Sequence, residues 1–350
     1  MKGTWGSLWF LSGLLFGMSA TSLLVSHFWP QSRSLGNDDG ENSSSELHLL
    51  QRVTECSEQL EHLQSPRRSQ VPSAAICTIQ KGGLYYIDEW VDYHLAIGFE
   101  QIFVYDNSED FELKDWASSR NPNQVVVYDY PQGGQRAAYW DCISRIRNRR
   151  SHDWIAFIDL DEFIVLKKHA SILELLNDIV VPNKQAGGLA LNRYSYVFDS
   201  NDHTTHRYEP LPLTKRFQMR WPVEKQWIKT IARTMDIAKP DVHRHNFKWN
   251  KTPVDTKGNR IAGHLIEDDS TTDIAVIHHY YTKSIDEFLS RCNHGRATTK
   301  NVTTHIPCWP RERAIEHIEN ITRAHGGATF DNTAWQLLKK NVPAYGRYGP

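Results

Sequence analysis

The plainest chemical signal in this chain lies where an apolar run breaks into acid. Trp154-Ile155-Ala156-Phe157-Ile158 is followed at once by Asp159-Leu160-Asp161-Glu162-Phe163. An apolar, partly β-branched run of this length reads as a central strand of an α/β sheet. Side chains alternate along an extended chain, so Asp159 and Asp161 are expected to point the same way. Two carboxylates at the carboxyl end of a parallel strand form a hard-oxygen site for a divalent cation. A strand that merely ends in an acidic turn is the alternative. The chemistry that suits such a pair is departure of a diphosphate from a nucleotide sugar. A cation held there bridges both phosphates and offsets the charge that develops. A nearby Lys or Arg adds to that stabilisation. A His from another strand completes the shell and suits Mn2+. The acceptor hydroxyl needs a general base.

The rest of the body supplies elements in the order such a site needs. Ala74 to Ile79 reads as a strand, and Leu84, Ile87, Val91, Leu95 and Gly98 keep the period of a helix. Gln101 to Tyr105 is a second strand, ending in Asp106-Asn107, and Val125 to Tyr128 is a third. Gln135 to Arg149 is a helix with Ala138, Cys142 and Ile146 on one face, and it leads into the strand that delivers Asp159. This alternation predicts an α/β fold with a doubly wound, mainly parallel sheet and flanking helices. Farther on, Gly187 to Leu191 reads as a short strand and Tyr194 to Arg207 as a polar, aromatic loop. Lys225 to Met235 is amphiphilic, and Ile274 to Ile277 is a strand running into His278-His279-Tyr280-Tyr281. Ser284 and Glu287 form a capping box for the helix after it. No Gly-x-Gly-x-x-Gly follows the first strand, which argues against a nicotinamide enzyme. The P-loop, Gly-x-Ser-x-Gly and His-Glu-x-x-His patterns are absent as well.

Charge excludes one class of partner. Among 350 residues, 40 Lys and Arg stand against 41 Asp and Glu, so there is no electrostatic case for nucleic acid. The basic run Arg145 to Arg150 reads as a solvated helix end. Trp5 to Phe28 carries no charge and is long enough to cross a bilayer as a helix. With Lys2 ahead of it, the expected plan is a cytosolic tail (1–4), a transmembrane signal anchor (5–28) and a lumenal body, a single-pass type II protein. A signal peptide cleaved near Ala20-Thr21-Ser22 is the rival. Either way the body is expected on the non-cytosolic side, where sequons at Asn42, Asn250, Asn301 and Asn320 permit N-glycosylation.

Residues 29–72 are polar and read as a stem, with the folded body at 73–350. Within the stem, Leu49, Val53, Cys56, Leu60 and Leu63 follow a coiled-coil seam. A short amphipathic helix lying against the body is the alternative reading. The five cysteines show no zinc-site spacing. In an oxidising lumen the four in the body are expected to form two disulfides. Cys292 with Cys308 closes a basic, Thr-rich loop, and Cys77 with Cys142 joins the first strand to the helix before Asp159. Cys56 is left over.

Taken in order, several blocks resemble glycosyltransferase family 92, over about Ala74 to Arg296. They are Cys77 to Lys81 with Glu89 to Phe99, Val104-Tyr105-Asp106-Asn107, Asp159-Leu160-Asp161-Glu162-Phe163, and Ile277-His278-His279-Tyr280 followed by Lys283-Ser284. The Lys229 to Arg233 stretch is similar too, whereas Phe198 to His203 departs from the family's loop and bears on the acceptor. The resemblance implies a GT-A fold and a metal-dependent transferase. Asp159 and Asp161 then sit at the metal–diphosphate site, Asp161 as the direct ligand. His279 is the third ligand, with His278 the alternative because register across the strand end is not readable. Glu162 either supports these ligands or caps the strand. Asp106 meets the nucleoside, unless it is a turn residue. Lys229, Arg233 and Lys283 face the donor, and Glu89 and His94 pin the first helix. Among Asp199, Asp202, Glu209 and Glu267, Asp202 is the chosen base.

The resemblance further implies galactose transfer from UDP-galactose with Mn2+, with inversion, onto a glycan or glycoprotein acceptor at a Golgi membrane. Another nucleotide sugar (UDP-arabinose, UDP-xylose or a GDP-sugar) and a membrane-anchored glycan-binding protein without turnover are the alternatives.

The seam generates a test. In a parallel pairing two copies of Cys56 face each other, and a common membrane anchor aligns them. The expected result on non-reducing electrophoresis is a homodimer linked through the stem that disappears in Cys56→Ser. A wild-type monomer, or a dimer that persists in the variant, would contradict the seam.

Overall fold

In the computed structural model, which describes residues 72–349 apart from 109, 131–133, 199–208, 223 and 295–307, β1 (Ala74–Gln80) is buried along almost its whole length. A strand of that kind needs cover on both faces, and the following elements supply it. They are α1 (Ile87–Ala96), β2 (Gln101–Asp106), α2 (Glu112–Ser118), β3 (Val125–Asp129), α3 (Gln135–Arg149), β4 (Trp154–Phe157), β5 (Glu162–Leu166) and α4 (Ile172–Ile179). The second half adds β6 (Ala186–Val197), α5 (Leu213–Arg216), β7 (Met219–Arg220), β8 (Glu224–Arg233), β9 (Ile237–Lys239), β10 (Asn246–Phe247) and β11 (Thr252–Val254). It closes with β12 (Ala275–Tyr280), α6 (Ile285–His294), α7 (Arg311–Ala324), β13 (Thr329–Phe330) and α8 (Thr333–Asn341).

The main sheet runs β13-β7-β6-β8-β4-β1-β2-β3. Its β4-β1-β2-β3 part is parallel, and β8 enters antiparallel beside β4. Alternation along β1 divides the core. Ile76, with Val104 and Ala156, packs on Ile87, Trp90 and Val91 of α1. Cys77 and Ile79, with Phe103 and Phe157, pack on Ala138, Tyr139, Cys142 and Ile146 of α3. This is the mixed α/β arrangement with flanking helices that the sequence predicts. The expected anchor, the stem with Cys56, and Asp199 and Asp202 lie outside the described residues. Among the described residues no helix is long and apolar enough to cross a membrane.

Two elements differ from the sequence reading. The expected loop after Tyr194 begins as strand, because β6 continues to Val197. Its Tyr-Ser-Tyr-Val stretch is aromatic and β-branched and pairs with both β7 and β12. The amphiphilic segment from Lys225 is the long strand β8.

Helix α1 fixes the strand that follows the acidic pair. Its Trp90 Nε1 donates to Glu162 O at 2.8 Å, and Tyr93 Oη donates to Ile164 O at 3.2 Å. His94 is held between the Trp90 carbonyl, at 2.8 Å from Nδ1, and the Ile164 amide, which donates to Nε2 at 3.3 Å. That pattern requires a neutral imidazole, and burial holds its pKa at about 3. Glu89 accepts from Leu213 N at 2.5 Å and from Thr214 N and Oγ1 at 3.0 and 2.5 Å, capping α5. Burial pushes its pKa up to about 7 against those donors. Both residues therefore pin α1, as expected. The two expected disulfides, Cys77–Cys142 and Cys292–Cys308, are both present, and the first ties β1 to α3.

Removing Glu89 strands two buried amides. Glu89→Ala should lower stability by about 2–4 kcal/mol, the usual consequence of unpaired buried donors. Urea melts of the two proteins test this, and a difference under about 0.5 kcal/mol would contradict the clamp.

Candidate active site

The acidic pair sits on a tight turn rather than on extended strand. β4 ends at Phe157 and β5 begins at Glu162. Glu162 N donates to Asp159 O at 3.0 Å, and the Glu162 carboxylate accepts from Asp159 N at 3.0 Å. Leu160, at the apex, is 4 % exposed and tucks against Gly83. A Cβ at Gly83 would stand 2.5 Å from a Leu160 methyl, and its φ is +106°, so both space and backbone call for glycine there. The turn removes the extended geometry from which the expected common direction of Asp159 and Asp161 is drawn. Each carboxylate has its own lysine as hydrogen-bond partner, Lys229 for Asp159 and Lys283 for Asp161.

Asp159 Oδ2 accepts from Lys229 Nζ at 2.9 Å, and Gln135 Nε2 reaches Oδ1 at 3.3 Å from the first turn of α3. Lys229, 3 % exposed, also pairs with Glu162 Oε2 at 3.0 Å. Burial and the neighbouring Asp159 push the Glu162 pKa up despite Lys229. Burial acts against the Lys229 charge, but Asp159 and Glu162 together hold its pKa well above the usual lysine value. Asp161 Oδ2 accepts from Lys283 Nζ at 2.8 Å, with Arg291 behind it at 3.9 Å. Burial alone would raise the Asp161 pKa, but the Lys283 and Arg291 charges hold it well below the carboxylate range.

His279 comes from β12, which pairs antiparallel with β5 and sets His279 opposite Glu162. Tyr280 N donates to Asp161 O at 2.8 Å, locking the strand to the turn. Strand alternation settles which histidine faces the acid. His279 Nε2 stands 3.8 Å from Asp161 Oδ1, while His278 is fully buried between the Tyr194 and Tyr196 rings. Burial holds the His279 pKa well below its ordinary value, so the imidazole is neutral.

The layering matters for chemistry. Asp159 and Asp161 are the more open groups, at 38 % and 21 % of side-chain exposure, and Lys229 and Lys283 lie beneath. Arg193 adds a further positive charge that acts on both Glu162 and His279. Lys229, Lys283, Arg291 and Arg193 thus face Asp159, Asp161 and Glu162, a balance that favours an incoming anion. Asp161 and His279 have the donor chemistry for a divalent cation, a carboxylate oxygen and a neutral imidazole nitrogen separated beyond hydrogen-bond reach. Among the described residues no group of three or more His, Cys, Asp or Glu forms a complete metal cluster.

Other expected site residues fall elsewhere. Asp106 is fully buried, and its two oxygens accept from Ser108 N and Leu113 N, so it builds the turn into α2. Arg233 pairs across from Trp154 at the amino end of β4, stacks on that ring at 4.4 Å and meets Asp236 at 3.5 Å. Of Lys229 and Arg233, it is Lys229 that meets the turn. Glu209 is half-buried and Glu267 exposed, and neither has a described contact with the acidic turn. Gln135, Arg193 and Arg291 are the residues that sequence reading missed. Arg193 had a signal, a lone charge inside an otherwise buried strand.

Residues 83–307 match the family model of glycosyltransferase family 92. The chain belongs to that family. A family 92 glycosyltransferase protein of Arabidopsis thaliana is 25% identical over 256 residues, covering 67% of this chain and 38% of its own. One of Oryza sativa subsp. japonica is 28% identical over 117 residues, covering 33% of this chain and 20% of its own. The chain therefore spans less than half the length of these relatives. A solved 4-diphosphocytidyl-2C-methyl-D-erythritol synthase covers 50% of this chain and 83% of its own at 14% identity, but its TM-score of 0.30 is too slight to bear on the fold.

In this family 92 chain the Lys229 cluster should be visible in stability alone. Lys229→Met leaves Asp159 and Glu162 without their shared counter-charge and should cost about 3 kcal/mol. Adding Glu162→Gln should recover more than half of that in a urea double-mutant cycle. Strict additivity of the two losses would contradict the coupling.

Proposed function

We propose that this chain is a metal-dependent, inverting glycosyltransferase. It moves galactose from UDP-galactose to a glycan acceptor at a Golgi membrane. The observation that carries the reading is the turn at Asp159–Glu162. Open carboxylates are backed there by buried Lys229 and Lys283, at the carboxyl end of the parallel strands, where ligands bind in α/β sheets. Family membership supports the transferase class. The choice of galactose and of inversion follows the family resemblance.

Asp161 and His279 would hold a divalent cation such as Mn2+, which supplies charge neutralisation for the two phosphates when bound. The chain's own groups do the rest. Lys283 and Arg291 converge on Asp161 from α6 and the loop before it, placed to meet negative charge as the nucleoside diphosphate departs. Asp161, with its pKa held below the usual carboxylate range, is an anion near neutral pH and available as a ligand. His279, neutral, offers a lone pair without adding charge. The acceptor hydroxyl gives its proton to a carboxylate base, for which Asp202 is our choice. In a secretory lumen Asn250 is well placed for glycosylation, exposed on a turn at φ 54°.

A screen of UDP-galactose, UDP-arabinose, UDP-xylose and GDP-sugars with Mn2+ should give fastest nucleotide release from UDP-galactose. Asp161→Asn should lower kcat/KM by roughly a hundredfold or more with an unchanged circular dichroism spectrum. Lys283→Met should lower it by roughly tenfold or more. Full activity of Asp161→Asn would overturn the reading.

A further inference from the structure

Beyond Lys229, β8 runs on past the acidic turn and carries a tryptophan that the donor chemistry leaves unused. Trp227 lies two residues from Lys229 and is 45 % exposed. A single exposed aromatic is ordinary on a protein surface. This one is held in place. Its ring stacks on His243 with centroids 4.7 Å apart and planes at 27°, and His264 meets it at 5.9 Å, tilted 54°. Both histidines are themselves tied to β8. Thr230 Oγ1 donates to the His243 carbonyl at 2.9 Å, and Ile228 N donates to the His264 carbonyl at 3.1 Å. The shelf lies next to the acidic turn, since Trp227 stands two residues along β8 from Lys229, which pairs with Asp159. Burial, with Lys229 and Arg193, holds the His243 pKa at about 4, so the ring stacked on Trp227 is neutral near pH 7.

We propose that Trp227 is the platform on which the acceptor sugar rests, its indole face against the C–H face of a pyranose. This rests on the reading of the acidic turn as the donor-diphosphate site. The strand order decides between acceptor and nucleoside. β1, β2 and β3 lie on one side of β4, and β8 lies on the other. The parallel side offers the open strand ends that nucleotides use, so a donor placed there leaves the β8 side for the second substrate. A flat aromatic surface held by its neighbours is suited to a neutral sugar ring, because little side-chain freedom is lost on contact.

The test uses the full-length protein in detergent. Its binding to a printed array of defined oligosaccharides is measured beside its affinity for UDP with Mn2+, for wild type, Trp227→Ala and Trp227→Phe. The expected result is glycan binding weakened roughly tenfold in Trp227→Ala, largely recovered in Trp227→Phe, with UDP affinity unchanged, as for loss of one stacking contact. In turnover, the acceptor KM should rise while the donor KM stays the same. Unchanged glycan binding in Trp227→Ala, no glycan binding by wild type, or a parallel loss of UDP affinity would each overturn the platform. Failure of UDP to bind wild type, with the glycan result intact, would instead sink the donor site and leave the platform standing.

Discussion

The Lys229 ammonium set between Asp159 and Glu162 is the interaction on which the head of the sheet depends. A buried lysine is unfavourable on its own, and so is the buried Glu162 carboxylate. Together they satisfy one another, and Glu162 then closes the turn by accepting from the Asp159 amide. That closure fixes where Asp161 stands. The same strand, β5, is gripped from one face by Trp90, Tyr93 and His94 of α1, and its edge pairs with β12. Remote packing therefore reaches the site through a short path. Glu89 anchors α5, α1 anchors β5, and β5 anchors the turn.

Much of this was legible in the sequence. The apolar run ending in Asp-Leu-Asp-Glu announced a strand end with acid, and the alternation of β1, α1, β2, β3 and α3 announced the covered parallel sheet. The first helix and its Glu89 and His94 were read as structural, and their hydrogen bonds agree. The reading ran out where long-range pairing decides. Whether Asp159 and Asp161 share a side depends on the turn, which Leu160 packing on Gly83 sets from far away in the chain. Which of His278 and His279 faces the acid depends on the register of β12 against β5. Arg233 was misplaced because the segment was read as amphiphilic without a strand's rise. Four residues along β8 is roughly 13 Å, and at that remove the Arg233 side chain meets Trp154 and Asp236 rather than the acidic turn. Asp106, expected at the nucleoside, takes the alternative role of a turn residue.

The layered charge gives the site its character. Lysines lie under carboxylates, so the surface offered to a ligand is acidic while the field beneath is positive. Such an arrangement suits a cation and a polyanion arriving together better than either alone. Lys283 pairs with Asp161 and Lys229 with Asp159, which ties the acidic turn to the loop before α6 and to β8. The most direct measurement is calorimetric titration of the wild-type chain with UDP, once with Mn2+ and once with EDTA. The account predicts that UDP binds with Mn2+ and at least roughly tenfold more weakly in EDTA. Equal affinity under both conditions, or none under either, would contradict it.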